Sequence, residues 1–315
     1  MSLSGARCLV LGAGGFLGVN LCRALLAQGA EVTGYGRRPH DVAALPDTMA
    51  WHDAEFDDPV RLAVAVMGQD MVFHLLGGSV PAQSNRQPAG DVLGSLLPSV
   101  RLIEACHVAG VRRLVFASSG GTVYGPTPSN PVDERAPTNP ITAYGINKLA
   151  VEKYLGLFRH MGRLDPVVLR IANPYGPFQH GRRAQGVVGT ALASALSGAP
   201  IEIWGDGQVV RDYLHVDDVT AAMIAAAGYR GDRWVFNVGS GEGRSVRAVV
   251  EDVCTLTRTG PDRIVYRPGR AADVPYNVLD IGLIAGEMGW TPRTGWHDGL
   301  VATAEWLQQT QGRRA

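Results

Sequence analysis

The sequence predicts an α/β protein built on a doubly wound parallel sheet, with a smaller C-terminal α/β domain. Three observations predict it. Short apolar runs alternate with amphipathic stretches through the first half of the chain, and a glycine-rich turn joins the first run to the first amphipathic stretch. After about residue 173 the alternation loosens into segments punctuated by Gly and Pro, such as Asn173-Pro174-Tyr175-Gly176-Pro177 and Trp204-Gly205-Asp206-Gly207. Strands that alternate with helices are joined by crossovers, so they pair in parallel and are covered on both faces.

The elements follow in order. A strand at 7–12 closes on Gly12 and opens a helix at 15–28; a strand at 31–35 is followed by a helix near 59–67 and a strand at 70–76. A helix near 92–109, a strand at 112–117, a helix at 143–161 and a strand at 166–171 complete the series. Pro140 and Thr142 read as the turn and N-cap of the 143–161 helix. This places residues 1–172 in the sheet domain and 173–315 mainly in the second, with the chain crossing back as an open alternative.

Composition narrows the class. With 315 residues, 46% of them apolar, the chain can bury a large core, and Lys plus Arg balances Asp plus Glu at 29 each. No net field or basic run favours nucleic acid or an anionic membrane. Cys8, Cys22, Cys106 and Cys254 are scattered without ligand spacing, which excludes a zinc knuckle or disulfide framework and leaves no metal site expected. The first apolar stretch, Cys8 to Leu11, is too short for a signal-peptide core or a membrane span, so a cytoplasmic protein is expected. Only Gln311 to Ala315 read as a frayed tail.

Two constellations carry chemistry. In Leu9-Val10-Leu11-Gly12-Ala13-Gly14-Gly15-Phe16-Leu17-Gly18, glycines 12, 15 and 18 leave no side chains between turn and ligand, and the helix that follows offers its positive end to a pyrophosphate. A tight turn alone needs one glycine; strand, three glycines and helix together predict a dinucleotide cradle of the Rossmann kind. In Tyr144-Gly145-Ile146-Asn147-Lys148, a spacing of four puts phenol and ammonium on one helical face. A phenol is a weak base at neutral pH, but an adjacent ammonium and a cationic nicotinamide ring favour its ionised form.

With these residues the chain resembles the extended short-chain dehydrogenase/reductases, and within them the NAD-dependent sugar epimerases and dehydratases. Further anchors are His74-Leu75, Ser118-Ser119-Gly120-Gly121-Thr122-Val123-Tyr124-Gly125, Asn173 to Pro177, Arg211-Asp212-Tyr213, and Arg270 with Asp273. The resemblance implies that Tyr144 takes a proton from a sugar hydroxyl as hydride passes to the nicotinamide, with Lys148 holding the ribose. It also implies cofactor contacts at Gly12, Gly15, Phe16, Leu17, Gly18, Arg37, Glu55, Phe56, Leu76 and Ala117, and contacts to a nucleotide-diphosphate sugar, a UDP-sugar in the nearest pattern, at Asn173, Val188, Ile203, Arg211, Arg270 and Asp273. Arginine forks suit diphosphates; pairing of Arg211 with Asp212 and of Arg270 with Asp273 as surface ion pairs is the alternative.

Three departures stand out. Gly120 occupies the position where the family carries the Ser or Thr that shares the proton relay, leaving Ser119 and Thr122 as the nearest hydroxyls, with a tight turn the other reading of Gly120-Gly121. Gly120, Gly121 and Thr122 also lack the acidic residues of 4,6-dehydratases and uronate decarboxylases. The second strand ends in Gly36-Arg37-Arg38 rather than an acid, which by chemistry alone favours NADP, whereas the resemblance favours NAD; Glu55 is either an adenine-side contact or a solvated carboxylate. Asp91 stands where the family has Asn and reads as an N-cap exchange.

The expectation is a nucleotide-sugar 4-epimerase, inverting C4 through a 4-keto intermediate, with a NADPH-dependent ketoreductase and a non-catalytic Rossmann sensor as alternatives. Trp234, Trp290, Trp296 and Trp306 read as packing residues, and His215 as structural. Family members pair two helices across a two-fold, so a homodimer is expected, with Leu96, Leu97, Leu102, Ile103, Leu149, Leu155 and Leu157 either on that interface or on the protein's own sheet.

Overall fold

The computed structural model describes residues 3–37, 45–77, 84–127, 130–179, 186–269 and 274–312. β1 (Arg7–Leu11) passes through the glycine turn into α1 (Phe16–Ala27), and β2 (Glu31–Tyr35) and β3 (Ala50–His52) follow. Asp58 caps α2 (Pro59–Val66) by accepting from the Val60 and Arg61 N–H groups. After β4 (Met71–His74), a helical turn (Pro88–Asp91) and a π-helical stretch (Val92–Leu96) lead into α3 (Leu97–Val108). β5 (Arg113–Ser119), α4 (Ala143–His160) and β6 (Pro166–Ile171) complete the predicted series. The three-residue β3 was not foreseen, because so short a strand shows no period of two.

Seven strands form one parallel sheet in the order β10-β6-β5-β4-β1-β2-β3, where β10 is Val235–Val238. The chain starts at the centre, winds out to β3, and returns to β4 on the other side of β1. That reversal opens a crevice at the carboxyl ends of β1 and β4, the place where such sheets bind ligands. Burial on both faces accounts for the nearly unbroken apolar strands. Cys8 and Val10 of β1 join a core with Phe73, Val115 and Leu169 on one face. Leu9 and Leu11 join Val72, Phe116 and Val168 on the other, against α2, α3 and α4.

Beyond β6 lie β7 (Asn173–Tyr175), α5 (Val187–Ser197), β8 (Ile201–Trp204), β9 (Val210–His215), α6 (Val216–Gly228) and then β10. β11 (Gly243–Ser245), α7 (Val246–Thr257), β12 (Ile264–Arg267), β13 (Tyr276–Asn277), α8 (Gly282–Met288) and α9 (Trp296–Gly312) follow. β9 pairs with β7, β11 and β13, and β8 with β12, giving the second lobe its own small sheets. The chain crosses back: Val219, Ala222, Met223 and Ala226 of α6 share a core with Leu21 and Leu25 of α1, and β10 extends the large sheet. A third core, built from Val188, Leu192, Ile203, Val249 and Leu300 among others, fills the second lobe. Cys8, Cys22 and Cys106 are buried free thiols, and burial pushes each pKa up, so they are inert apolar residues.

Candidate active site

The glycine turn is shaped by contacts that a side chain would block. Gly12 has a φ of +84°, and Gly15 donates its N–H to the Gly12 carbonyl at 2.9 Å. A Cβ on Gly18 would stand 2.0 Å from that same carbonyl, so α1 can approach β1 this closely only with glycine there. Gly15 is the N-cap of α1 and offers no side-chain cap, which leaves the first-turn N–H groups beginning at Phe16 and Leu17 facing outward for a ligand's oxygens. An uncapped helix end beside a side-chain-free turn fits the pyrophosphate of a dinucleotide. Asn20 ties this end to the second lobe by donating to the Phe16 carbonyl at 2.9 Å and the Pro177 carbonyl at 3.0 Å.

At the far end of the crevice Arg37 and Glu55 meet. Their Nε and Oε1 are 3.9 Å apart, both side chains are exposed, and the Tyr35 hydroxyl donates to the Glu55 carbonyl at 2.9 Å. Arg38 lies outside the described residues. Phe56 packs on the buried His74 with ring centres 5.3 Å apart.

Tyr144 lies in the first turn of α4, whose N-cap Thr142 accepts from the Gly145 N–H at 3.1 Å as its sequence position predicts. Lys148, one turn on, is buried; its Nζ donates to the Ala117 carbonyl at 2.8 Å and stands 4.7 Å from the centre of the Phe116 ring and 5.7 Å from that of Tyr144. Leu76, Ser95, Ser99, Phe116, Asn147 and Val151 line the same small pocket. Leu76 packs on Gly12 and a Cβ on Gly77 would meet Lys148 Nζ at 3.3 Å, so two consecutive residues link the cradle to this pair.

The electrostatics differ from the sequence expectation. Burial, reinforced by the negative charge of Asp91, pushes the Tyr144 phenol up to about 12. Burial brings Lys148 down to about 8, opposed by Glu152 and Asp91. The ammonium thus does not by itself lower the phenol. Burial, with the Asp91 charge behind it, keeps Tyr144 protonated, and a further positive group in the crevice would favour its ionised form. His74, which sequence reasoning used only as an anchor, lies beneath the pocket between Phe56 and Phe116 and shares a 2.9 Å hydrogen bond with Ser99. Burial and the Lys148 charge hold its pKa far down, so it is a neutral ring.

The loop after β5 resolves the question raised by Gly120. A Cβ there would lie 2.5 Å from Leu279 Cδ1 and 2.9 Å from the Arg170 carbonyl, so the space for the family's hydroxyl is filled by Leu279. The Ser119 carbonyl accepts from the Thr122 and Val123 N–H groups at 3.2 and 3.1 Å, making the glycine pair a tight turn. That turn carries Thr122 against α4: its Cβ and carbonyl oxygen lie 3.2 and 2.8 Å from where a Gly145 Cβ would be, next to Tyr144. The Thr122 Oγ1 is buried and has no hydrogen-bond partner. Ser119 is partly exposed.

Behind this loop runs a buried polar network. Ser118 donates to Glu152 at 2.5 Å, and Glu152 takes a fork from Arg170, with Nη2 at 2.7 Å. Arg170 also donates to the Tyr124 hydroxyl at 3.0 Å, which donates to Asn237 at 2.6 Å. Sequence reasoning missed it, since nothing in the spacing of these residues announces a shared partner.

Several expected roles are corrected. Arg211 does not pair with Asp212; its Nη1 donates to the Val210 and Val274 carbonyls at 2.9 and 2.6 Å, while the fully buried Asp212 accepts from Ser240, Gly241 and Leu279. Burial raises the Asp212 pKa. Val188 and Ile203 are each 1% exposed and belong to the second lobe's core. Asp91 stands at the N-cap position of the π-helical stretch but makes no side-chain cap hydrogen bond; it ends the preceding helical turn, buried, and accepts from Asn147 and Ser84. Leu102, Ile103 and Leu155 face the protein's own core. Asn173 donates to the Asp212 carbonyl at 3.0 Å, with its Oδ1 4.0 Å from where a Gly121 Cβ would be. Arg270 and Asp273 lie outside the described residues. His215 caps α6 by accepting from the Asp217 N–H at 3.4 Å, and no cluster of metal-ligating residues occurs among the described residues. Trp290 and Trp296 donate to Asp218 and Asp252, and Trp306 packs on Phe178.

Comparison with known proteins agrees with this architecture. The model of the NAD dependent epimerase/dehydratase family matches residues 8–239, and the chain belongs to that family. It is 34% identical to a UDP-glucose 4-epimerase of Mycolicibacterium smegmatis over 96% of this chain and 98% of that one. The crystal structure of Thermotoga maritima UDP-glucose 4-epimerase with UDP-glucose superposes with a TM-score of 0.92 at 32% identity, covering 96% of this chain and 99% of that one. MoeE5, solved with UDP-glucuronic acid and NAD, gives a TM-score of 0.87 at 34% identity over 97% of this chain and all (100%) of that one.

Proposed function

We propose that this enzyme is a nucleotide-sugar 4-epimerase acting on a UDP-hexose or UDP-hexuronate with a retained NAD. The observation that carries the reading is the pocket in which Tyr144 and Lys148 share one helical face beside the glycine cradle, facing a loop that offers a hydroxyl and no carboxylate. NAD, when bound, supplies a hydride acceptor able to return what it takes, and a positive ring. Gly12, Gly15, Phe16, Leu17 and Gly18 would hold its pyrophosphate, and Lys148 its ribose.

Tyr144 then takes the proton of the sugar hydroxyl and later gives it back, and Lys148 stabilises the ionised phenol. The 4-keto sugar turns over between the two transfers, so the carbon is inverted without net redox change. Elimination of water would need an acid and a base at neighbouring carbons, which Gly120-Gly121-Thr122 does not supply. Arg37 alone favours the NADPH-dependent ketoreductase; with Glu55 3.9 Å away, a 2′-phosphate would meet a carboxylate, and NAD is the better fit. MoeE5, solved with UDP-glucuronic acid as well as NAD, supports either sugar class. The test is incubation with UDP-hexoses and UDP-hexuronates without added cofactor, followed by NMR of the sugar ring; C4 inversion supports the reading, and no change in any of them defeats it.

Thr122 takes the place of the missing hydroxyl beside Tyr144. Among the described residues no group bonds to its Oγ1, so Thr122→Val leaves the fold as stable as before. Turnover is expected to fall about 10²-fold. Unchanged kcat in Thr122→Val would transfer the role to Ser119.

We also propose a homodimer through α3 and α4. Leu97 is 37% exposed, Leu157 48%, Ile146 54%, and Leu93, Tyr154 and Met161 are exposed on the same pair of segments. Such adjacent apolar residues mark an interaction surface. Sedimentation should show a dimer that Leu157→Asp dissociates; a monomeric parent protein refutes it. No helix among the described residues is long and apolar enough to cross a membrane, and a cytoplasmic location is proposed from the sequence.

A further inference from the structure

The second lobe reaches under the Gly120-Gly121 turn with a short strap that the chemistry above does not use. Leu279 in this strap is fully buried. Its backbone is fixed from two sides. The Leu279 N–H donates to Asp212 Oδ2 at 3.3 Å. The residues on either side of it clasp Val132, whose N–H donates to the Val278 carbonyl at 2.8 Å and whose carbonyl accepts from the Asp280 N–H at 2.9 Å. β13 delivers the strap from a register that sets Asn277 opposite Arg211 on β9. Asn277 and Leu279 stand two residues apart, the spacing at which an extended chain sends side chains to one face, and both go to Gly120. Asn277 Nδ2 donates to the Gly120 carbonyl at 3.3 Å, and a Cβ on Gly120 would stand 2.5 and 3.1 Å from the two Leu279 methyls.

We propose that Leu279, helped by Asn277, is a positioning residue of the second lobe that holds the turn after β5 and so keeps the Thr122 hydroxyl in place beside Tyr144. A pair of glycines gives the turn its room and also leaves it the most conformational freedom of any residue pair. The Gly120 N–H donates to the Ile171 carbonyl at 2.8 Å, and the face where a side chain would stand is covered by the Leu279 methyls and the Arg170 carbonyl. Leu279 also shares a small buried cluster with Val123 and Tyr124, so the chain meets that packing both before and after Thr122. Trimming Leu279 opens a void under the two glycines, and a glycine turn takes up such room by moving. A hydroxyl that must meet a reacting proton tolerates little of this, since about 1 Å of misplacement can cost about 100-fold in rate.

The consequence for turnover rests on the epimerase reading; the hold on the turn does not, and can be read without substrate. The Thr122 and Val123 N–H groups close the turn on the Ser119 carbonyl, so their exchange with solvent reports whether it opens. In hydrogen exchange followed by NMR, both amides should lose protection by about tenfold or more in Leu279→Ala, while amides in the middle of β5 keep theirs.

The same variant should lower kcat about 10- to 100-fold with KM nearly unchanged. Leu279→Met, which conserves volume, should keep kcat near that of the wild type. Leu300→Ala, an equal truncation in the second lobe's own core, should lower the melting temperature and leave kcat alone. Added to Thr122→Val, Leu279→Ala should bring no further loss of kcat, because both act through one hydroxyl. Leu279→Val, a milder truncation, is measured alongside and should show the same pattern in smaller measure, so that a folding failure of Leu279→Ala does not decide the matter. Wild-type kcat or unchanged exchange at Thr122 in a folded truncated variant overturns the proposal, as do penalties that multiply in the double variant. Absence of C4 inversion in the wild type would instead defeat the epimerase reading, and the exchange measurement would still decide whether Leu279 holds the turn.

Discussion

Tyr144→Phe is expected to lower kcat about a thousandfold while leaving KM and the folded state nearly unchanged. The ring loses only its hydroxyl; its edge keeps the packing against Gly77, 3.7 Å from the Cβ position there, and its place beside the Lys148 ammonium. Removing the hydroxyl of a phenol that the chain holds protonated, up to about 12, strips out the proton carrier without leaving an unpaired charge. Steady-state kinetics with the epimerised sugar, together with thermal melts, check both halves. A variant that keeps more than about a tenth of the activity would mean that another group, with Thr122 the first to test, moves the proton.

The largest effect on stability is expected at the buried Glu152–Arg170 pair. Their side chains are 3% and 6% exposed, and the fork between them closes at 2.7 Å. Glu152→Gln leaves the guanidinium buried without its counter-charge and weakens the bond from Ser118, so a loss of about 3–5 kcal/mol is expected. Arg170→Met leaves the carboxylate buried instead and should cost as much. Combining Glu152→Leu with Arg170→Met removes both charges, and the double variant should be less destabilised than either single one. Urea unfolding monitored by fluorescence measures this. A loss under about 1 kcal/mol in Glu152→Gln would place the pair with surface ion pairs rather than with the structural frame of the site.

That pair shows where the sequence could and could not be read. Local signals were enough for the large sheet's β1, β2, β4, β5 and β6, for α1 after its glycine turn, and for the α4 cap at Thr142, because period, glycine spacing and capping are properties of neighbouring residues; the short β3 and the returning β10 escaped them. The fold and the family followed from them. Relations between distant residues were not legible: Ser118, Glu152, Arg170 and Tyr124 come from three separate stretches of chain and meet only once β5, α4 and β6 are in place.

The same limit explains the corrections. Asp212 follows Arg211 in sequence, but neighbours in a strand point to opposite faces, so the carboxylate turns inward to Ser240 while the guanidinium reaches Val274. Asp91 holds a cap position before the π-helical stretch, yet its carboxylate turns to Asn147 and Ser84, which are distant in sequence or carried by another helix, instead of capping. Gly120 could be named as a departure from the sequence; that Leu279, far along the chain, occupies the vacated space could not.

The central claim is that one hydride leaves C4 and the same hydride returns to the opposite face of that carbon. It is tested most directly with UDP-glucose, or UDP-glucuronic acid if that is the sugar accepted, deuterated at C4 and incubated in ordinary water with the purified protein and no added cofactor. The account predicts an inverted product that keeps its deuterium at C4; an inverted product with hydrogen at C4, or turnover only when NADPH is supplied, would contradict it.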